Sequence, residues 1–291
     1  MKMMRYAFVL MLPCLFINSA QAQEIDSTRV SDGIHMITGK GGNIGVLIGK
    51  DGTFMIDDKF APMTKDILAK VTELGGSTPK FVLNTHYHGD HTGGNENVGK
   101  AGSIIVSHEN VRKRLVKGAT IKVFNKVIPA QPEVALPIVI FTRDITFYLN
   151  GNVVNIMHVP NAHTDGDSFV HFPDANVIHT GYIFFNGFYP FIDTDHGGNV
   201  KGTIAAADKV LSLANDKTRI IPGHGPLSNI KELTTYRDML AKAQKRLGKL
   251  KAAGKTAKQA AAEKPLADLD VEWSDGMFTT DRWIEVIYDG I

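Results

Sequence analysis

The chain reads as an α/β sandwich in which two sheets pack face to face and helices cover the outside. Three observations predict this. Short apolar segments separated by glycine turns mark strands at both ends of the first 230 residues. Segments with helical periodicity interrupt them in each half. Both halves follow a plan of strands, then a helix, then a strand, without obvious repetition. Two such halves bury most apolar surface when their sheets meet.

The 291 residues carry a formal charge of only +2, which gives no footprint for nucleic acid and no block suited to an acidic partner. Residues 1–22 place Lys2 and Arg5 before an apolar run from Ala7 to Ile17 and end in Ala20-Gln21-Ala22. That is the pattern of a cleaved signal peptide, so a periplasmic or secreted location is expected, with a mature start near Gln23. The run is too short for a membrane span, which needs about 20 residues. The single cysteine, Cys14, lies within it. The mature protein would then have no disulfide and no thiolate ligand, leaving histidine and carboxylate to hold any metal.

From Val30 to Asp57 the segments "GIHMITG", "NIGVLIG" and "GTFMIDD" predict antiparallel strands with tight turns. "APMTKDILAKVTEL" predicts a helix, and "KFVLNTH" a buried strand. A helix from about Asn95, the strand "SIIVSH" and the helix "ENVRKRLVKG" complete the half. A connection punctuated by Pro129, Pro132 and Pro137 follows. Strands are then expected at "ITFYLNG", "VVNIMHVP", "DSFVHFP" and "NVIHTGYIFF", a helix at "VKGTIAAADKVLSLA" and a last strand at "TRIIPGHG". The domain is bounded at 23–228. Residues 229–291 form a basic, amphipathic helical extension expected to pack on it through one face.

"NTHYHGDHTGGN" crowds three histidines and an aspartate into His86–His91. His86 and His88, two apart on extended chain, project to the same side. Asp90 and His91 follow on a turn permitted by Gly89. Such an array presents nitrogens to one metal and a carboxylate with a nitrogen to an adjacent point.

With these residues the sequence resembles the metallo-β-lactamase superfamily, whose signature is H-x-H-x-D-H. "MIDD" with Asp57, "HVPNAHTDGD" with His163 and "IPGHG" with His224 follow in the family's order, over about Val30 to Leu227. The resemblance implies a four-layer αββα sandwich with metals at one edge. It implies a first site of His86, His88 and His163, a second of Asp90, His91 and His224, and Asp57 as the residue orienting the histidine loop. Zinc is the expected ion. Water activated by a His-bound metal would attack a cyclic amide or ester, β-lactam-like or lactone, with Asp90 guiding the proton. The partner is thus a small-molecule substrate.

One position departs from the pattern. After "NVIHTG" the family places a metal-bridging aspartate, where this chain has Tyr182. A phenol with a pKa near 10 is a poor zinc ligand. One reading is a single tightly bound ion with a weaker second. Another is a packing role, with Asp165 or Asp167 supplying the missing carboxylate. A third has Tyr182 donating a hydrogen bond to substrate or oxyanion. His35, His108, His158, His171 and His179 read as core or surface residues. Asp193 and His196, in a loop beyond the apolar stretch "GYIFFNGFYPFI", are candidate substrate contacts, and that stretch is an apolar wall beside the metals. Two other classes fit the sequence: an iron-dependent oxygenase of persulfides, and a binding protein whose catalysis lapsed with the aspartate.

Overall fold

The computed structural model describes residues 25–291, so the expected leader lies outside the described residues. The glycine-punctuated opening forms four antiparallel strands: β1 (Asp26–Ser31), β2 (Ile34–Thr38), β3 (Ile44–Gly49) and β4 (Gly52–Ile56). β1 starts before the expected Val30. Asp32-Gly33, with Gly33 at φ +68°, makes the tight turn that adds this outer strand.

Helix α1 (Thr64–Glu73) leads to β5 (Pro79–Asn84), which pairs parallel with β4. Neighbours on β5 face opposite ways. Val82 joins Ile67 and Val71 beneath α1, while Leu83 joins the core between the sheets. The one-turn α2 (Gly89–Thr92), α3 (Asn95–Lys100), β6 (Ile104–His108) and α4 (Glu109–Lys117) come next. A hairpin of β7 (Ala119–Ile121) and β8 (Lys126–Ile128) precedes β9 (Val139–Phe141), which closes a seven-stranded sheet ordered β1-β2-β3-β4-β5-β6-β9. The prolines of this connection mark only its second part. The hairpin before them turns at Asn125 in the left-handed region (φ +47°), a conformation asparagine tolerates.

The second sheet is ordered β10 (Asp144–Leu149), β11 (Asn152–His158), β12 (Ser168–Phe172), β13 (Val177–His179) and β14 (Arg219–Ile221), the last reached through α5 (Val200–Leu213). β13 is shorter than "NVIHTGYIFF" predicts. Gly181 at φ +53° turns the chain there, and a Cβ at Gly181 would lie 2.8 Å from Thr85 Cβ, so only glycine fits.

Phe54, Leu83 and Val106 of the first sheet share one core with Val154, Ile156, Val170 and Phe172 of the second. α1 covers the outer face of the first sheet. α5 covers that of the second, setting Ala206, Ala207 and Val210 against Phe169, Ile178 and Ile220. The layers are therefore αββα, as predicted. Beyond Asn229 lie α6 (Ile230–Ala252), α7 (Ala257–Ala262), α8 (Asp270–Trp273) and α9 (Thr280–Ile287). α6 starts where the Asn229 side chain accepts from the Lys231 and Glu232 amides, and it buries Leu233, Tyr236, Leu240, Ala243 and Leu247 along one stripe. Among the described residues no helix is long and apolar enough to cross a membrane.

Candidate metal centre

Because β4 and β5 run parallel, their C-terminal ends meet at one edge of the sandwich. Asp57 ends β4 in the left-handed region (φ +64°) and is fully buried. Its Oδ1 accepts from the Thr85 amide (2.7 Å), and its Oδ2 from Thr85 Oγ1 (2.8 Å) and His91 Nδ1 (2.6 Å). It thereby ties the chain leaving β5 to the α2 turn. Gly93 and Gly94 pass so close to the Lys59 and Asp58 carbonyl oxygens, each 2.8 Å from the Cβ that a larger residue would carry, that a side chain at either would push this turn away.

Each histidine delivered here has one ring nitrogen engaged and the other turned inward. His88 Nε2 lies 3.0 Å from Asp193 Oδ2, and His163 Nδ1 lies 2.7 Å from the Phe191 carbonyl. His86 Nδ1 is 3.2 Å from Thr85 Oγ1. The inward atoms converge: one nitrogen each of His86, His88 and His163 lie within 4.8 Å of one another. His88 Nδ1 and His163 Nε2 are 2.8 Å apart. With the outer nitrogens donating, these two are facing lone pairs, and His86 Nε2 is buried with no partner. Three convergent lone pairs call for a cation, so the residues fit a metal ion.

A second group joins His86, Asp90 and His91 within the same distance. His86 thus borders both groups, where the sequence assigned it to the first alone. His224, from the turn after β14, sets Nε2 3.2 Å from Asp90 Oδ2 without hydrogen-bond alignment, and the Nε2 atoms of His91 and His224 are both unpartnered.

Charge is distributed unevenly. Burial pushes His86 and His163 well below the usual imidazole range and lowers His88, where Asp193 partly offsets it. The first set is therefore neutral and ready to ligate. Burial opposes charge on His91 too, yet Asp57 and Asp90 push it up to about 9. Burial raises the Asp90 carboxyl, but His91 and His224 more than offset this and hold it well below the usual carboxylate range.

Tyr182 is buried in the middle. Its ring centroid lies 4.2–4.8 Å from those of His163, His86, His91 and His224, and its hydroxyl donates to Asp90 Oδ2 at 3.1 Å. Burial, reinforced by Asp90, raises the phenol well above 10, so it remains a donor. Neither proposed substitute carboxylate comes here. Asp165 pairs with Arg114, and Asp167 accepts the Thr164 amide and hydroxyl, both at 2.7 Å. The reading in which one of them replaces the aspartate is corrected on that ground.

Asp193 and His196 also take a different place from the expected substrate contact. Asp193 is buried and accepts from Tyr87 (2.6 Å), His196 (2.8 Å) and His88, so it orients a ligand histidine. Burial opposes its charge, but these donors hold it well below the ordinary value. Sequence reasoning missed this role for Asp193 and that of Tyr87, which pair with residues more than a hundred positions away. His179 is fully buried and accepts from the Gly181 amide; His108 and His158 stack on each other at 3.7 Å. The apolar stretch divides by side. Phe185 stacks on His224 (5.2 Å) and Phe191 on His88 (5.6 Å), while Phe184 and Tyr189 face Tyr236 and Trp283 of the tail.

An αββα sandwich with buried histidines converging at one edge defines a metal-binding α/β protein. The chain belongs to the metallo-beta-lactamase superfamily, whose family model matches residues 37–224. Among solved structures it is similar to a metallo-beta-lactamase from Pontibacter korlensis, with 18% identity and a TM-score of 0.62 over 75% of this chain and 99% of that one. DIM-1 metallo-beta-lactamase gives 17% identity and a TM-score of 0.60 over 76% and 98%. The stereoselective inverting sec-alkylsulfatase Pisa1 from Pseudomonas sp. gives 19% identity and a TM-score of 0.68 over 91% of this chain but 51% of its own. At these identities the likeness speaks for the fold.

Proposed function

We propose that the protein is a metal-dependent hydrolase holding one ion, zinc, tightly through His86, His88 and His163, and opening a cyclic amide or ester of β-lactam or lactone type. The observation that carries this reading is the pair of imidazole lone pairs facing each other at 2.8 Å, with His86 Nε2 buried and unpartnered beside them. An ion bound there supplies Lewis acidity, bringing the pKa of water from about 15.7 to about 7 and polarising a substrate carbonyl.

The protein's own groups do the rest. Asp90, kept ionised by its neighbours, accepts a proton at Oδ2 and passes it to the leaving group. Tyr182 fixes the Asp90 carboxylate through its 3.1 Å hydrogen bond. Asp193 and the Phe191 carbonyl hold His88 and His163 in the tautomers that turn lone pairs inward. Phe185 and Phe191 give the substrate an apolar wall and limit water.

Elemental analysis combined with a turnover panel of esters, lactones, β-lactams and secondary alkyl sulfates tests this. The sulfates are included because the alkylsulfatase matches most of this chain. Zinc with hydrolysis of a cyclic amide or ester supports the proposal. Iron with oxygen consumption would overturn it in favour of an oxygenase, and bound metal with no turnover in favour of a binding protein.

A further inference from the structure

Behind the second donor group lies a buried cation that the proposed reaction does not use. Lys59 is 0% exposed and, like Asp57, sits in the left-handed region (φ +56°). The two left-handed residues fold the chain leaving β4 beneath the loop Gly39–Asn43. The Lys59 ammonium donates to the Gly42 carbonyl and, at 3.5 Å, approaches that of Gly39.

That loop presses on the second donor group. A Cβ at Gly42 would stand 2.2 Å from His91 Nε2, and one at Gly41 would stand 3.0 Å from Asp90 Cβ. The ammonium is therefore bonded to the backbone that touches His91 and Asp90. Burial pushes the amine down to about 8, while Asp90 and Asp57 pull the other way, so it is cationic at neutral pH. A buried lysine without a carboxylate hydrogen bond is costly, and its position points to a use for the charge.

We infer that Lys59 is a positioning residue standing in for a second metal ion. Its fixed ammonium balances Asp90 and Asp57 from behind the loop, and the Tyr182 hydroxyl caps Asp90 from the front. Asp90 is then held in one orientation beside a single bound ion. The inference rests on the reading of the site as a metal centre. A second divalent ion would meet the first ion and the ammonium with one carboxylate fewer than a bridging aspartate would give, and like charges at this depth repel strongly.

The test is metal stoichiometry, read by elemental analysis and by calorimetric titration of Zn²⁺ into protein preloaded with one equivalent. Lys59→Met removes the charge at similar volume, and Lys59→Gln keeps a donor for the Gly42 carbonyl should the methionine variant fail to fold. Either uncharged variant should bind the second ion at least about 10-fold more tightly, whereas Lys59→Arg should remain at one. If Lys59 only ties down the loop, the uncharged variants will bind the second ion no better or worse, and the inference is overturned. Two tightly held ions in the unmodified protein overturn it as well. Unmodified protein that binds no ion overturns the metal-centre reading itself, an outcome distinct from the other two.

Discussion

The Tyr182 hydroxyl donates to Asp90 Oδ2 across 3.1 Å, and the ring behind it fills the gap between the two donor groups. The purified protein is accordingly expected to hold close to one tightly bound ion per chain. Tyr182→Phe should keep that count but lower turnover about 100-fold, the low end of what a positioned proton-transfer group contributes. Tyr182→Asp clears the ring and adds a carboxylate, so second-ion affinity should rise at least about 10-fold. Elemental analysis after dialysis, with titration calorimetry, reads both variants; a phenylalanine variant with unchanged turnover would remove Tyr182 from the mechanism.

Asp193 tests the support around the first donor group. Asp193→Ala leaves the His88 Nε2 hydrogen buried without its acceptor and frees the ring to rotate. Metal affinity should fall about 10–100-fold with the fold retained, as expected when the partner of a ligand histidine is removed. His163→Ala removes a ligand outright and should abolish tight binding. Competition against a chelating dye distinguishes the two losses, and full affinity in the alanine variant at 163 would dismantle the assigned site.

His179 gives a pH signature. Burial lowers this imidazole from 6.5 to about 4, and its Nδ1 accepts from the Gly181 amide, so the folded protein keeps it neutral. Below pH 6.5 the unfolded chain takes up a proton that the folded chain refuses until about pH 4. The stabilisation is therefore complete above 6.5 and lost as pH falls towards 4. Relative to His179→Asn, the unfolding free energy of the unmodified protein should drop by about 3 kcal/mol between pH 7 and pH 4. Denaturant melts of both proteins across that range measure it; a constant difference would show that His179 titrates normally.

Trp283 tests the tail. It is fully buried, stacks on Tyr189 at 4.2 Å, and donates from Nε1 to the Pro190 carbonyl at 2.7 Å. Trp283→Ala should cost about 3–5 kcal/mol of stability, the range for truncating a buried aromatic. A loss under 1 kcal/mol in a urea titration would mean that the tail is seated by other contacts.

His86, His88, Asp90 and His91 were legible as a cluster because the motif is local: spacing sets which of these side chains share a face. The sandwich was legible because strand alternation and helical periodicity survive in the text. What remained hidden depends on distance along the chain. Asp193 and His88 are 105 residues apart, and nothing near either announces the other. Nothing in the sequence around Lys59, two residues from the readable Asp57, announces that left-handed backbone at both positions buries it. The hairpin of β7 and β8 was missed because strands of three residues are too short to show alternation.

The Pro190 and Phe191 carbonyls are consecutive on the chain. The first accepts the Trp283 indole and the second the His163 ring. A single peptide link thus joins the carbonyl that seats the tail to the carbonyl that orders the ligand histidine. Whatever factor ion binding contributes to tail docking, docking must return to ion binding, by the reciprocity of linked equilibria. The chain has two tryptophans, and both lie behind this wall: Trp283 against Tyr189, and Trp273 accepting the Tyr189 amide at 2.9 Å. Ion binding is therefore expected to change the intrinsic fluorescence of these two tryptophans, which a metal titration would read.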